Sequence, residues 1–262
     1  MLPPYTTYLI DLDGVIYRGA TLVPGAKEFV DWLERTGKKY LFLTNNSFAS
    51  EQQVLDKLQG LGIHSSLQHV LGAGQAAIRQ IARRFPNGSI HLIGERPLYE
   101  IAQAYGLKIV NSHTEHADAV LVGLDREFTY AKLTEAILTV RNGAEFIAIN
   151  RDPLLPVADG FIAGTGTMVA AIEAGSSTAP EVIGKPQPAL LVEAMQTLGS
   201  TPDETVMIGD GLDVDILAGK AASTHTLLVL SGRASRATLE HSTIQPDLVY
   251  EDLAAVLKDV ED

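Results

Sequence analysis

The chain has 262 residues, 46% of them hydrophobic, no cysteine, and 32 acids against 20 bases for a formal charge of −12. The length leaves room for one substantial core or two smaller ones, and the missing cysteines exclude disulfides, thiolate nucleophiles and zinc–thiolate sites. The acidic balance argues against nucleic acid or an anionic membrane as partner. It leaves open a small anionic substrate, because a metal and a few local donors can reverse the field inside one site.

Tyr8-Leu9-Ile10 is an apolar run that stops at Asp11-Leu12-Asp13-Gly14-Val15. On a buried parallel strand the two acids would stand at the carboxyl end, where open α/β sheets place ligands. At i, i+2 both carboxylates lean the same way and repel, and a bound cation relieves that; hard oxygen donors suggest Mg²⁺. A strand ending in two solvated aspartates is the plainer alternative. Val15 to Leu22 reads as an exposed loop. Ala26, Phe29, Val30 and Leu33 then form one helix face that stops at Gly37. Lys38 to Leu43 predicts a second strand ending in Thr44-Asn45-Asn46-Ser47. Ser50-Glu51-Gln52-Gln53 resembles a capping box for a helix buried through Val54, Leu55, Leu58 and Leu61. This is βαβ rhythm.

The rhythm continues through strands at Ile90–Gly94, Ala119–Gly123 and Phe146–Asn150. Helical patterns lie at Leu98–Tyr105 and at Leu133, Ala136, Ile137 and Val140. The stretch is long enough for a domain of its own, with Gly72-Ala73-Gly74 and Gly164-Thr165-Gly166 as plausible hinges; one continuous sheet is the alternative. After Gly184-Lys185-Pro186 comes a helix carrying Leu191, Val192, Met195 and Leu198 and closed by Gly199. Strands follow at Thr205–Ile208, ending in Gly209-Asp210, at Leu227–Leu230 and at Leu248–Tyr250, before a terminal helix.

Polar residues thus punctuate strand ends and loops at Asp11/Asp13, Thr44/Asn45, Lys185 and Asp210, and the ends of a parallel sheet share one edge. Their chemistry is complementary. One carboxylate can attack phosphorus, a second can move protons, and a hydroxyl, amides and an ammonium can neutralise phosphoryl oxygens. A further aspartate completes a hold on Mg²⁺. None of the seven histidines shows metal-ligand spacing, and all read as structural or surface residues.

Asp11-Leu12-Asp13-Gly14-Val15, Leu43-Thr44-Asn45-Asn46-Ser47, Gly184-Lys185-Pro186 and Gly209-Asp210 through Asp215 resemble, in order, the four motifs of the haloacid dehalogenase-like (HAD) phosphohydrolases. The long insert before Gly184, leaving through Asn150-Arg151-Asp152-Pro153 and Gly164-Thr165-Gly166, is similar to subfamily IIA, the NagD and 4-nitrophenyl phosphatase branch. The resemblance implies a Rossmann-like, doubly wound parallel core at 1–73 and 176–262, with an inserted α/β cap domain at 74–175. It implies a Mg²⁺-dependent phosphatase of small phosphate monoesters working through an aspartyl phosphate on Asp11. Asp13 would be the general acid/base, and Thr44 and the backbone at Asn45 would bind phosphoryl oxygens. Lys185 would steady Asp11, and Asn46 would position the substrate.

The same resemblance gives the metal to Asp11, the carbonyl of Asp13 and Asp210, with Asp215 supporting from behind; Asp213 reads as a helix-start residue. Asp125 and Leu155 would overhang the substrate, with Leu155 read equally as a packing residue. A leucine there weakens a case for pyridoxal phosphate. The resemblance also implies a homodimer paired through the caps. A receiver-like phospho-acceptor is the alternative from another class, but its acid pair is adjacent and it needs about half this length. A phosphomutase of the same superfamily would need a helical cap after the first motif, where Val15–Ala26 is too short. Residues 1–8 lack a basic region and a long apolar core, and no apolar run approaches the roughly 20 residues that span a bilayer. A cytoplasmic protein without membrane contact is expected.

Overall fold

The computed structural model describes residues 5–46, 50–157 and 160–261, and of Pro156 and Val157 the backbone alone. The chain is α/β and divides into two compact units. One comprises Met1–Thr44, Glu51–Leu71 and Lys185–Asp262; the other comprises Asn45–Ser50 and Gly72–Gly184.

The first unit is built on a six-stranded sheet in the order Leu248–Tyr250, His225–Val229, Thr205–Gly209, Thr7–Asp11, Lys39–Thr44, Val70–Gly72. From Leu248–Tyr250 to Lys39–Thr44 every neighbouring pair is parallel. Thr7–Asp11 lies at the centre, with Leu9 and Ile10 fully buried, as a strand covered on both faces requires. The Ala26–Arg35 helix buries Ala26, Phe29, Val30 and Leu33, and also Trp32. Trp32 stacks on Phe29 at 5.6 Å while Tyr8 meets both rings edge-on at 5.8 Å.

One expectation for this unit fails. Val15, Ile16 and Tyr17 are buried rather than part of an exposed loop. The chain folds back at Gly14, whose N–H donates to the Tyr17 carbonyl at 2.7 Å while the Ile16 N–H donates to Leu12 at 2.9 Å, and so the apolar segment turns inward. In the Ala189–Leu198 helix Val192 is exposed, and Leu190, Leu191, Glu193, Ala194 and Met195 are buried.

The second unit has its own five-stranded parallel sheet, ordered Glu181–Val182, Glu145–Ala148, Ala119–Val122, Ser89–Ile93, Lys108–Val110. Val120, Val122, Ala136, Ala148, Val169 and Ile172 form its core. An antiparallel hairpin, Leu154–Val157 with Gly160–Ala163, completes it. The unit reaches Gly184, past the segment 74–175 drawn from the sequence, because Glu181–Val182 pairs with Glu145–Ala148 as its edge strand.

Gly164-Thr165-Gly166 is not a hinge at its border. Gly164 precedes the Thr165–Ser176 helix inside the unit, and a Cβ on Gly166 would lie 2.2 Å from the Arg151 carbonyl oxygen. These glycines serve close packing of a helix start against the backbone of Arg151 and Asp152. The short Lys108–Val110 and Val70–Gly72 strands and the hairpin carry too few residues to show a period, and the sequence did not reveal them.

Candidate active site

Asp11 is the last residue of the central strand and stands beside Leu43, one residue before Thr44 ends the neighbouring strand. On the other side, Thr205–Gly209 delivers Asp210, and the following turn delivers Asp215. Lys185 begins the chain's return to this unit. Its ammonium, almost wholly buried, donates to Asp11 Oδ1 at 2.5 Å and to Asp215 Oδ1 at 2.7 Å. The other Asp215 oxygen accepts the Gly211 N–H at 3.0 Å.

Glycines shape the pocket around Asp210. A Cβ on Gly14 would lie 2.1 Å from Asp210 Oδ2, and one on Gly232 would lie 1.9 Å from it. The same oxygen accepts the Arg233 N–H at 2.7 Å, and Ser231 Oγ donates to the Gly14 carbonyl at 2.7 Å. The segment Ser231-Gly232-Arg233 therefore fixes both the first motif and Asp210. Sequence reasoning missed it, although a polar Ser-Gly pair closing the Leu227–Leu230 run is the same kind of signal that marked the other strand ends.

Carboxylate oxygens of Asp11, Asp210 and Asp215 all lie within 4.8 Å of one another, and no other such acid or histidine group occurs among the described residues. Three carboxylates against one ammonium leave two negative charges uncompensated in a largely buried place. An all-oxygen donor set with that surplus suits a hard divalent cation. Burial and like charge also act on the protonation of these groups. Burial, with the charges of Asp215 and Asp210 and against the pull of Lys185, pushes the Asp11 carboxyl up to about 8. Burial and then the Asp215 charge push Asp210 up to about 6. For Lys185 burial acts downward, but Asp11 and Asp215 outweigh it and raise the ammonium above its ordinary range.

Asp13 is exposed and has no oxygen in this cluster. The dense recess around it still raises its carboxyl, against opposing charges from Lys57 and Lys185. Lys57 stands 3.5 Å over the centre of the buried Tyr17 ring, and Tyr17 bridges to Asp13 through the backbone. Thr44 is buried at its strand end. Asp213 is exposed in the Leu212–Ile216 turn, 3.4 Å from the Arg233 guanidinium.

The structure thus brings Asp11, Lys185, Asp210 and Asp215 together. Asp215, expected behind the metal, has an oxygen in the cluster itself, yet both its oxygens are already engaged by Lys185 and Gly211.

Asn45 and Asn46 fall in the second unit. The Asn45 carbonyl accepts from Asn150 Nδ2 at 3.0 Å, and its Oδ1 would lie 2.7 Å from a Cβ on Gly184. Asn46 is half-buried, and Ser47 lies outside the described residues. Asp125 is buried in the second unit, its carboxylate held by Lys132 Nζ at 2.7 Å and the Glu127 N–H at 2.9 Å. Leu155 is half-buried and leans on the core of that unit.

A doubly wound parallel sheet with a carboxylate–ammonium cluster outside its carboxyl edge defines an α/β protein with its ligand site at the strand ends. Comparison with known proteins narrows that class. The family model of haloacid dehalogenase-like hydrolases matches residues 8–108, and a second, HAD-hydrolase-like, matches residues 182–256. The acid sugar phosphatase of Staphylococcus aureus (strain MRSA252) is 35% identical over 257 residues, 98% of each chain. The solved p-nitrophenyl phosphatase from Archaeoglobus fulgidus has a TM-score of 0.91 at 34% identity, covering 98% of this chain and 100% of that one. A double-mutant thermostable NPPase from Geobacillus stearothermophilus has a TM-score of 0.88 at 37% identity, covering 96% and 98%. The chain belongs to the haloacid dehalogenase-like hydrolases, in their NagD-like branch.

Proposed function

We propose that this chain hydrolyses small phosphate monoesters with Mg²⁺, through an aspartyl phosphate on Asp11. The observation that carries the reading is the Lys185 ammonium held between Asp11 and Asp215 beside Asp210 at the strand ends. By engaging Asp11 Oδ1, Lys185 leaves the other carboxylate oxygen to attack phosphorus. As that P–O bond forms, the bond to the leaving oxygen breaks and Asp13 protonates that oxygen. Asp13, now a carboxylate, takes a proton from water. The water oxygen attacks phosphorus, Asp11 departs as a carboxylate, and inorganic phosphate is free to leave.

Thr44, the backbone at Asn45 and Lys185 serve the equatorial oxygens, and Asn46 helps position the ester. Asp11, the Asp13 carbonyl and Asp210 would hold Mg²⁺, with Asp215 keeping Lys185 and the Gly211 turn in place. When bound, the ion neutralises charge on the transferred group and orients it. The names of the relatives support sugar phosphates and 4-nitrophenyl phosphate as first substrates to try.

The test is phosphate release from such a panel with Mg²⁺, by the wild type and by Asp11→Asn. The variant keeps the shape and loses the nucleophile, so its release should fall to background; near wild-type turnover by a pure sample ends the proposal. The reading extends to a cytoplasmic homodimer paired through the second unit, whose hairpin leaves Leu154 and Phe161 exposed. Sedimentation should show a dimer, with Phe161→Asp shifting it toward monomer.

A further inference from the structure

Three segments meet around the Asp210 carboxylate, and one hydroxyl joins two of them. The His225–Val229 strand runs on through Leu230 into Ser231-Gly232-Arg233-Ala234, and Ser235 then caps the Arg236–Glu240 helix. That turn clasps Asp210 twice. The Arg233 N–H donates to Asp210 Oδ2 at 2.7 Å, and the Ala234 N–H donates to the Asp210 carbonyl at 3.0 Å. Gly232 makes one wall of the slot that holds Oδ2, and Gly14 makes the other. The walls come from opposite ends of the chain. The buried Ser231 hydroxyl binds them together by donating to the Gly14 carbonyl at 2.7 Å. Among the described residues no other hydrogen bond joins the Gly14 turn to Ser231–Arg233.

We infer that Ser231 is a positioning residue for the metal: its hydroxyl holds the Asp13–Gly14 turn in register with Asp210 and so makes the site select Mg²⁺ over Ca²⁺. The inference rests on the reading that the Asp13 carbonyl and Asp210 hold the ion. Mg²⁺ demands near-ideal octahedral geometry at about 2.0–2.1 Å, whereas Ca²⁺ accepts irregular shells at about 2.3–2.6 Å. A site whose ligands come from separate segments meets the stricter demand only if those segments keep a fixed spacing.

Each ligand is set by its own neighbours. The Arg233 amide and the two glycine walls fix how the Asp210 carboxylate is turned. The Asp13 carbonyl shares a peptide plane with the Gly14 N–H, which donates to the Tyr17 carbonyl at 2.7 Å. The next peptide plane carries the Gly14 carbonyl, and Ser231 holds that one. Both planes beside Gly14 are therefore oriented, and the second is tied to the turn that clasps Asp210. Without the hydroxyl the two ligands are each held, but not to one another. The buried Gly14 carbonyl also loses this donor, which loosens its plane further.

The test is a calorimetric titration of the metal-stripped full chain with MgCl2 and, separately, with CaCl2, which reads binding without turnover. Ser231→Ala should weaken Mg²⁺ by about tenfold or more, the usual loss when an outer partner of a metal ligand is removed, and Ca²⁺ by clearly less. Ser231→Thr keeps the hydroxyl and should restore most of the Mg²⁺ affinity. The Ca²⁺ titration also reports that each variant keeps its fold. Unchanged Mg²⁺ affinity in Ser231→Ala, an equal loss for both ions, or no rescue by threonine would each overturn the inference and leave the phosphatase reading standing. A wild type that binds no Mg²⁺, or an Asp210→Asn variant that binds it as the wild type does, would overturn both the inference and the metal assignment beneath it.

Discussion

At the scale of single residues, Asp210 depends on what its neighbours lack. Gly232 has an ordinary backbone, so Gly232→Ala should fold, but its Cβ cannot share space with Asp210 Oδ2. Displacing that carboxylate by a fraction of an ångström or more should cut phosphate release on the order of a hundredfold, the scale for small misplacements in an active site. Circular dichroism should be unchanged beside the kinetic loss. A second pair of variants separates proton transfer from metal holding. Asp13→Asn should stay slow at any Mg²⁺ concentration, because added metal supplies no proton donor, whereas Asp210→Asn should recover in part as Mg²⁺ rises. Metal titrations with the opposite pattern would exchange the two roles.

Among the elements, the Ser89–Ile93 strand carries a buried histidine whose Nδ1 finds no partner among the described residues. Burial holds the His91 imidazole below its ordinary value of 6.5, against the opposing charge of Glu135. Below 6.5 the unfolded chain takes up a proton that the folded strand refuses. Stability should therefore fall as pH drops through 6.5 toward the lowered value, and level off beneath it. Hydrogen exchange of the second unit at pH 7.5 and 5.5 should show this loss, and His91→Gln should reduce it. The isolated ring also explains why no histidine pattern was visible in the sequence: His91 answers to the packing around one strand and to no motif.

For the molecule as a whole, two units mean two reporters. Trp32 is the sole tryptophan and lies in the core of the first unit. Its fluorescence transition in denaturant should move up when Mg²⁺ is present, by about 2.7 kcal/mol at a hundred times the dissociation constant. Exchange protection in the sheet of the second unit should respond far less. Removing the metal with EDTA should reverse the shift, and an equal rise at both reporters would place the ion elsewhere than at the aspartates. The described residues contain no helix long and apolar enough to cross a membrane.

Much of this was legible because it is local. A buried parallel strand must be apolar along its length and must stop at a polar residue. Tyr8-Leu9-Ile10 before Asp11, and the Thr205–Ile208 run before Asp210, therefore announced both the sheet and the place where its chemistry gathers. Spacing likewise announced the helix face of Phe29, Val30 and Leu33. What the chain order could not state was which distant groups would share one volume. Lys185 meets Asp215 as well as Asp11, and Gly232 and the Arg233 amide clasp Asp210, because parallel strands far apart in sequence end at one edge. The burial of Val15–Tyr17 and the exposure of Val192 on the Ala189–Leu198 helix were likewise decided in three dimensions. Each depends on what packs opposite, and only the tertiary fold supplies the opposite face.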